Sequence, residues 1–207
     1  AGKALAEALT ANSTLKELDV SSNTWEQWGE TKGDGPGFAQ ELAVGIAASG
    51  AMVTVNILKN NIGVDQANVL VSILKEHPTL KSLCGNKGNE TALDMSGKKI
   101  GADGAIMLAP EIVANGAMVT VTINKFPLPI QDIKTKTELD FSSKELRVED
   151  AIIIAALIPL NVSRYSSQCK SVLYSVAKGA MTSLNLSNNG LKAEGAKHIA
   201  AALPECK

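Results

Sequence analysis

Residues 181–203 join a short strand pattern to a helix pattern, and this pair recurs along the chain. Leu184 and Leu186 alternate with polar residues, which predicts a strand with one apolar and one polar face. Asn189 follows where the strand must end, so its amide can satisfy backbone groups left unpaired there. The apolar stripe of the following helix is predicted at Ala196, Ile199, Ala200 and Leu203. Because elements this short cannot bury their apolar faces alone, the pair predicts a fold of stacked copies.

The helix stripe occurs six times, each time with a small residue first and with Leu or Ile three and seven residues later. The five further copies are Gly2/Leu5/Ala6/Leu9, Ala39/Leu42/Ala43/Ile46, Ala67/Leu70/Val71/Leu74, Ala105/Leu108/Ala109/Ile112 and Ala151/Ile154/Ala155/Ile158. The strand triplet also occurs six times, with middle residues Asp19, Asn56, Asp94, Thr122, Asp140 and Asn185. A unit of about 28 residues with insertions explains the intervals between the strands.

Stacked strand–turn–helix units predict an α/β fold with one domain over residues 1–207. The strands are expected to form a parallel sheet on the concave side of a right-handed horseshoe, with the helices on the convex side, because a helix is wider than a strand. The composition is 45% hydrophobic but only 3% aromatic, so the core is expected to consist of aliphatic side chains.

The residues of the repeat resemble a known family. Leu184, Leu186, Asn189 and Leu191 follow the pattern L-x-L-x-x-N-x-L of the leucine-rich repeat. The units resemble the ribonuclease-inhibitor-like subfamily, also found in nucleotide-binding leucine-rich receptors and in activators of the small GTPase Ran. Residues 77–118 are similar to a block found in large, uncharacterised leucine-rich repeat proteins of unicellular eukaryotes. The resemblance implies a protein-binding scaffold and no particular partner.

Four insertions interrupt the repeats, at about residues 24–38, 84–92, 124–138 and 161–179. The first carries both tryptophans and is a candidate binding segment. Trp25 occupies the position that Leu191 fills in its own repeat, which favours packing in the core. Trp28 has no such position, so it is either an exposed anchor for a partner or a cover for apolar surface of the insertion itself.

The other insertions predict changes in the repeat pattern. Residues 79–84 begin in the phase of a strand, and the turn after them is either a loop within one repeat or the mark of a repeat without its helix. Pro127 and Pro129 predict the loss of a helix within 124–138, since each removes an N–H and favours extended geometry before it. The fourth insertion is expected to add a helix over residues 169–178.

A row of short polar side chains is expected on the concave face, at a strand spacing of about 4.8 Å. The candidate partner-binding residues of this row are Asp19, Asn56, Asp94, Thr122, Asp140 and Asn185. Carboxylates so placed could bind a basic peptide or a cation. The alternative is a solvated face that is kept polar against aggregation between sheet edges.

The sequence contains no pattern of catalytic or metal-binding residues, so a non-enzymatic protein without cofactor or metal is expected. His77 and His198 are predicted on the outer faces of separate helices, and neither has a motif partner. Activation of a Ran-type GTPase is the enzymatic alternative, for which only Arg147 and Arg164 could supply a cation.

Charge and hydropathy narrow the expected partners. The net charge of −1 argues against nucleic acid, and the longest apolar run, residues 151–160, falls short of the roughly 20 residues that span a bilayer. Three cysteines without close spacing favour a reducing, cytoplasmic setting.

Both ends cut into a repeat, so a fragment of a longer array is expected. The predicted function is a non-catalytic protein-interaction scaffold, and the alternative is a structural subunit of a large complex held by its ends and outer face.

Overall fold

A computed structural model describes residues 2–23, 25–27, 30–161 and 181–203, with only the backbone for residues 25–27 and 30–32. The contacts divide the chain into two compact units. Unit 1 comprises Ala1–Glu90 and Lys98–Gly116, and unit 2 comprises Thr91–Gly97 and Ala117–Lys207. The predicted helix at 169–178 and the side chains of Trp25 and Trp28 lie outside the part that is described.

Unit 1 is built from helices that follow short strands. Its elements are α1 (Gly2–Ala11), β1 (Glu17–Asp19), β2 (Trp25–Gln27), β3 (Glu30–Lys32), α2 (Gly35–Ala48), β4 (Thr54–Asn56), α3 (Gly63–Glu76) and α4 (Gly101–Ala114). Strands β1 and β4 pair in parallel, with Leu18 beside Val55 and Asp19 beside Asn56. Strands β2 and β3 form an antiparallel hairpin within the first predicted insertion.

The segment after α3 confirms the predicted strand phase of residues 79–84. It runs beside β4, where the Val55 N–H donates to the Ser82 carbonyl and the Gly85 N–H donates to the Val55 carbonyl, at 2.9 and 3.1 Å. No helix separates this segment from the strand that begins at Ala92. The segment is therefore a repeat that lacks its helix, one of the two alternatives that the sequence left open.

Unit 2 contains two small sheets. Its elements are β5 (Ala92–Asp94), β6 (Thr120–Thr122), β7 (Pro127–Pro129), α5 (Ile130–Thr135), β8 (Glu138–Asp140), α6 (Val148–Leu157), β9 (Ser183–Asn185) and α7 (Lys192–Ala202). Strand β5 pairs in parallel with β6, and β8 pairs in parallel with β9, as the repeats predict. Strand β7 pairs with β6 in the antiparallel direction, so the parallel order is interrupted between β6 and β8.

The predicted loss of a helix within residues 124–138 is wrong. The two prolines form β7, and the six-residue helix α5 begins directly after Pro129. A proline before the first turn removes no helical hydrogen bond, because the first N–H groups of a helix have no partner within it. The prolines therefore shorten the helix and displace it along the chain.

The predicted helix stripes are confirmed in α2, α4 and α6, where all four positions of each stripe are buried; the last position of the third stripe, Ile158, lies in the short 3₁₀ helix Ile158–Leu160 that directly follows α6. The stripe of α7 is wrong in part, because Ile199 is buried but Ala196, Ala200 and Leu203 are exposed. Helix α7 packs on α6 through the neighbouring positions Gly195 and Ala202, and a Cβ at Gly195 would meet that of Ala151 at 3.1 Å. The face that α7 buries is thus set by the helix that precedes it.

The predicted position of His77 on an outer helix face is also wrong. His77 ends α3 and is half-buried, with Nε2 2.8 Å from the Ser49 carbonyl oxygen. Its Nδ1 accepts a hydrogen bond from the Leu80 N–H at 3.0 Å. Since Nδ1 accepts, Nε2 carries the proton and donates to Ser49, which ties the ends of two helices to the next strand segment.

Candidate functional site

The polar side chains predicted along the strands lie next to one another in three pairs. Asp19 lies beside Asn56 in unit 1, and the Asn56 amide donates to the Asp19 carboxylate at 3.0 Å. In unit 2, Asp94 lies beside Thr122, and Asp140 lies beside Asn185. Within each pair the parallel register places both side chains on the same face of the sheet. The two residues of unit 1 and the four residues of unit 2 are called the polar strand face below, a name that refers to the corresponding face of each unit by itself.

Five members of the polar strand face also close the turn that follows their strand. Each accepts a hydrogen bond from the backbone N–H two residues later, and the pairs are Asp19–Ser21, Asn56–Leu58, Asp94–Ser96, Asp140–Ser142 and Asn185–Ser187. The residue after each donor has a positive φ, in order Ser22, Lys59, Gly97, Ser143 and Asn188. The same turn is therefore formed five times, and Asp or Asn at the strand end is required to close it.

This structural role was missed in the sequence, although its signal is present there. Asp or Asn followed two residues later by Ser marks four of these turns. The hydrogen bond also fixes the side-chain rotamer, so the outward charges of Asp19 and Asp140 are held in a defined position. Bonds from the backbone and hydroxyl of Ser21 lower the pKa of Asp19, and bonds from Ser142 lower that of Asp140. Both carboxylates are accordingly ionised at neutral pH.

Each unit has one further acidic residue on its own polar strand face, and both were missed. Glu17 and Glu138 occupy the first positions of β1 and β8, and both are exposed. Because side chains two apart in a strand share a face, each lies beside the Asp of its own strand. The repeated tripeptide Glu-Leu-Asp at 17–19 and 138–140 is the sequence signal. Strands β1 and β8 thus each present two carboxylates.

Asn189 satisfies backbone groups at the end of its strand, as predicted, and it also joins its repeat to the preceding one. Its side-chain amide donates to the Phe141 and Leu186 carbonyls at 2.8 and 3.0 Å, and its oxygen accepts from the Leu146 N–H at 3.0 Å. Asn60 is buried and does the same in unit 1, where its amide donates to the Val20 and Ile57 carbonyls. These bonds satisfy the backbone where strands end, so they hold the polar strand face in position.

A buried carboxylate stabilises the strand segment that lacks a helix, and nothing in the sequence analysis pointed to it. Glu111 of α4 accepts from the Leu83 and Cys84 N–H groups through Oε1, at 2.6 and 3.1 Å. Its Oε2 accepts from the Ser82 hydroxyl and the Asn86 amide, at 2.8 and 2.7 Å. We call Glu111 and these four donors the Glu111 clasp.

The Glu111 clasp takes the place of a neighbouring strand. The N–H groups of Lys81 and Gly85 donate to the carbonyls of Val53 and Val55, whereas the N–H groups of Leu83 and Cys84 donate to Glu111. Burial raises the pKa of Glu111, and the four donors oppose that rise. Burial and the nearby Glu111 raise the pKa of the Cys84 thiol well above its usual range, so Cys84 stays protonated and is a poor nucleophile.

The described part of the chain has neither a candidate metal-binding group nor a candidate membrane-spanning helix. No group of three or more His, Cys, Asp or Glu side chains there is arranged to hold a metal ion. In that same part, no helix is long and apolar enough to cross a membrane.

The recurring strand, its five identical turns and the asparagines that join repeats define a protein built from strand–turn–helix repeats. The family model described as Leucine Rich repeat matches residues 11–24, which include β1, and residues 181–200, which include β9 and most of α7. These matches support a leucine-rich repeat protein with an α/β repeat fold. No curated protein matches the chain. The ribonuclease-inhibitor-like subfamily and the horseshoe stay predictions.

Proposed function

We propose that this chain is a non-catalytic protein-interaction scaffold that binds its partner through the polar strand face. The observation that carries the proposal is the repeated turn, because within each unit it holds Asp or Asn at the same place at the end of its strand. Leucine-rich repeats generally mediate contacts between proteins, and two such repeats are matched here. The ionised Asp19 and Asp140, with Glu17 and Glu138 beside them, favour a partner surface that carries lysine or arginine.

The rigid turn is what makes these carboxylates suitable for recognition. A side chain whose rotamer is already fixed loses little conformational entropy when a partner binds. Asp19 and Asp140 are held by their own turns in this way. The carboxylates are therefore in their binding positions before the partner arrives. Because they are exposed, binding is expected to weaken as the salt concentration rises.

A charge-neutral variant tests the proposal without breaking the turns. Asp19→Asn, Asp94→Asn and Asp140→Asn together remove three charges, while Asn keeps the acceptor oxygen, as Asn56 and Asn185 show in their own turns. The matched control removes three exposed charges from the helices through Asp65→Asn, Glu76→Gln and Glu194→Gln. Quantitative affinity purification from the native source compares the two variants with the wild type.

We expect the strand variant to lose a defined set of partners that the helix control retains. The partners lost should also be released from the wild type as the salt concentration rises. If both variants retain the same partners at the same level, the polar strand face is not the recognition surface and the proposal fails.

The second candidate function is a structural subunit of a large assembly that is contacted through its helices. The observation that favours it is an apolar groove between α1 and α2, where the Val44 side chain is 66% exposed. Val44→Asp would disrupt packing there without touching the strands. Loss of assembly in this variant, together with unchanged partners in the strand variant, would favour the structural function.

A further inference from the structure

One edge of strand β8 is not paired with any other strand in the part of unit 2 that the structure describes. The Ser183 N–H donates to the Thr137 carbonyl and the Phe141 N–H donates to the Asn185 carbonyl, so these groups face β9. In a parallel ladder alternate residues bond to opposite sides. The N–H and C=O groups of Glu138 and Asp140 therefore point away from β9. Among the strands that the structure describes, none pairs with β8 on that side.

The exposure of the side chains shows independently that this edge is open. Strand β4 lies between β1 and the segment at 81–85, and β6 lies between β5 and β7. The first and last residues of these two strands are half-buried; they are Thr54 and Asn56 in β4, and Thr120 and Thr122 in β6. The corresponding residues of β8, Glu138 and Asp140, are exposed. A strand covered on both sides would not leave them so accessible.

The reversal of the chain at β7 explains why β7, the described strand that precedes β8, does not pair with it. The Ile130 N–H donates to the Val119 carbonyl at 2.9 Å, and this bond sets the register of the two strands. In that register the backbone groups of Leu128 face β6, and those of Pro127 and Pro129 face away from it. Prolines have no N–H, so the outer edge of β7 offers no donor. Strand β7 thus ends its own sheet without pairing to β8.

We propose that the open edge of β8 binds an extended segment of a partner protein as an added strand, with lysine or arginine at alternate positions. This inference rests on the proposed function, and it names one surface and the chemistry of its partner. Glu138 and Asp140 stand on the exposed face of the edge, and the buried Leu139 lies between them on the other face. A segment of the type Lys-Val-Lys matches both faces, with its cations beside the carboxylates and its valine beside Leu139.

Amide hydrogen exchange of the full chain tests the added strand directly. The probes are acetyl-Lys-Val-Lys-Val-Lys-amide and the same peptide with every backbone nitrogen methylated, which keeps the charges but removes the donors. We expect the Glu138 and Asp140 amides to exchange rapidly in the free protein and about tenfold more slowly with the unmodified peptide at saturation. The methylated peptide should leave their exchange unchanged.

Two variants separate backbone pairing from charge. Glu138→Pro removes the outward N–H in the way that Pro127 and Pro129 do in β7, whereas Glu138→Gln removes only the charge. We expect Glu138→Gln to weaken peptide binding about threefold at low salt, and Glu138→Pro to weaken it at least about tenfold. Thermal unfolding of both variants, compared with the wild type, shows that they are folded.

Several results would overturn the inference. Slow exchange of the two amides in the free protein would mean that another part of the chain already covers the edge. Equal binding of the methylated peptide, equal binding by the two variants, or no binding of either peptide would each show that no strand is added. These results leave the scaffold function standing, because that function is decided by the separate purification with the strand variant.

Discussion

Replacing Glu111 by alanine removes the acceptor of four hydrogen bonds at once. The Leu83 N–H belongs to a buried backbone and cannot turn toward another partner, whereas the Cys84 N–H keeps a second acceptor in the Ser82 hydroxyl oxygen at 3.1 Å. Each buried donor left without an acceptor costs about 1–3 kcal/mol, whereas Ser82 and Asn86 can rotate toward other groups. We therefore expect Glu111→Ala to lower the free energy of unfolding by about 3 kcal/mol, including some loss of packing.

The conservative variant Glu111→Gln separates the hydrogen bonds from the charge. Its amide oxygen can still accept from the Leu83 and Cys84 N–H groups. The Ser82 oxygen already accepts from the Cys84 and Asn86 N–H groups, so the new NH₂ group needs the Asn86 side-chain amide to flip and offer its oxygen. We expect a loss of only about 1–2 kcal/mol, since the Ser82 hydroxyl loses its acceptor and the Asn86 amide must rearrange. Glu7→Ala, at an exposed position of α1, is the control and should stay within about 0.5 kcal/mol of the wild type.

Urea unfolding followed by circular dichroism measures these differences, and amide hydrogen exchange locates them. In Glu111→Ala the Leu83 and Cys84 amides should exchange faster than those of β6, which the clasp does not touch. A loss below about 1 kcal/mol, with unchanged exchange at Leu83, would refute the view that Glu111 replaces a missing strand.

Three further predictions concern pH, the turns and the helix contacts. The folded-state pKa of Glu111 is raised by burial, so its contribution to stability is full below the unfolded pKa of about 4.3 and is lost as the pH rises through the folded-state pKa. The difference in free energy of unfolding between the wild type and Glu111→Gln, measured by urea titration, should therefore shrink over that pH range. A constant difference would contradict the raised pKa. Asn189→Ala should lower the free energy of unfolding by about 2–4 kcal/mol, because it leaves backbone groups of two repeats unpaired, and a Tm unchanged from the wild type would speak against that role. Gly45→Ala should lower the stability of the protein by about 1–3 kcal/mol, since a Cβ there would lie 2.6 Å from the Ala6 Cα. Thermal unfolding measures this loss, and the control Gly50→Ala should show no comparable loss because no atom lies within 4 Å of its added Cβ.

The sequence by itself determined the repeated unit, because the unit is encoded in local periodicity. Alternation at period two placed the strands, and the spacing of small and aliphatic residues placed the buried faces of α2, α4 and α6. The role of Asn189 also followed from its position, since a strand end must satisfy its backbone groups nearby. The six polar residues of the strands were found from the same local alternation, although the hydrogen bonds by which five of them close the following turns were not predicted.

Only the tertiary structure decided the features that depend on residues far apart in the chain. Glu111 looks like an ordinary helical residue, and its donors lie 25 to 29 residues before it. The buried face of α7 depends on contact with α6. The pairing of β7 with β6 depends on which way the chain turns after Thr122, and local periodicity holds no information about that direction. The open edge of β8 follows from that turn, so the surface proposed for a partner could be seen only in the folded chain.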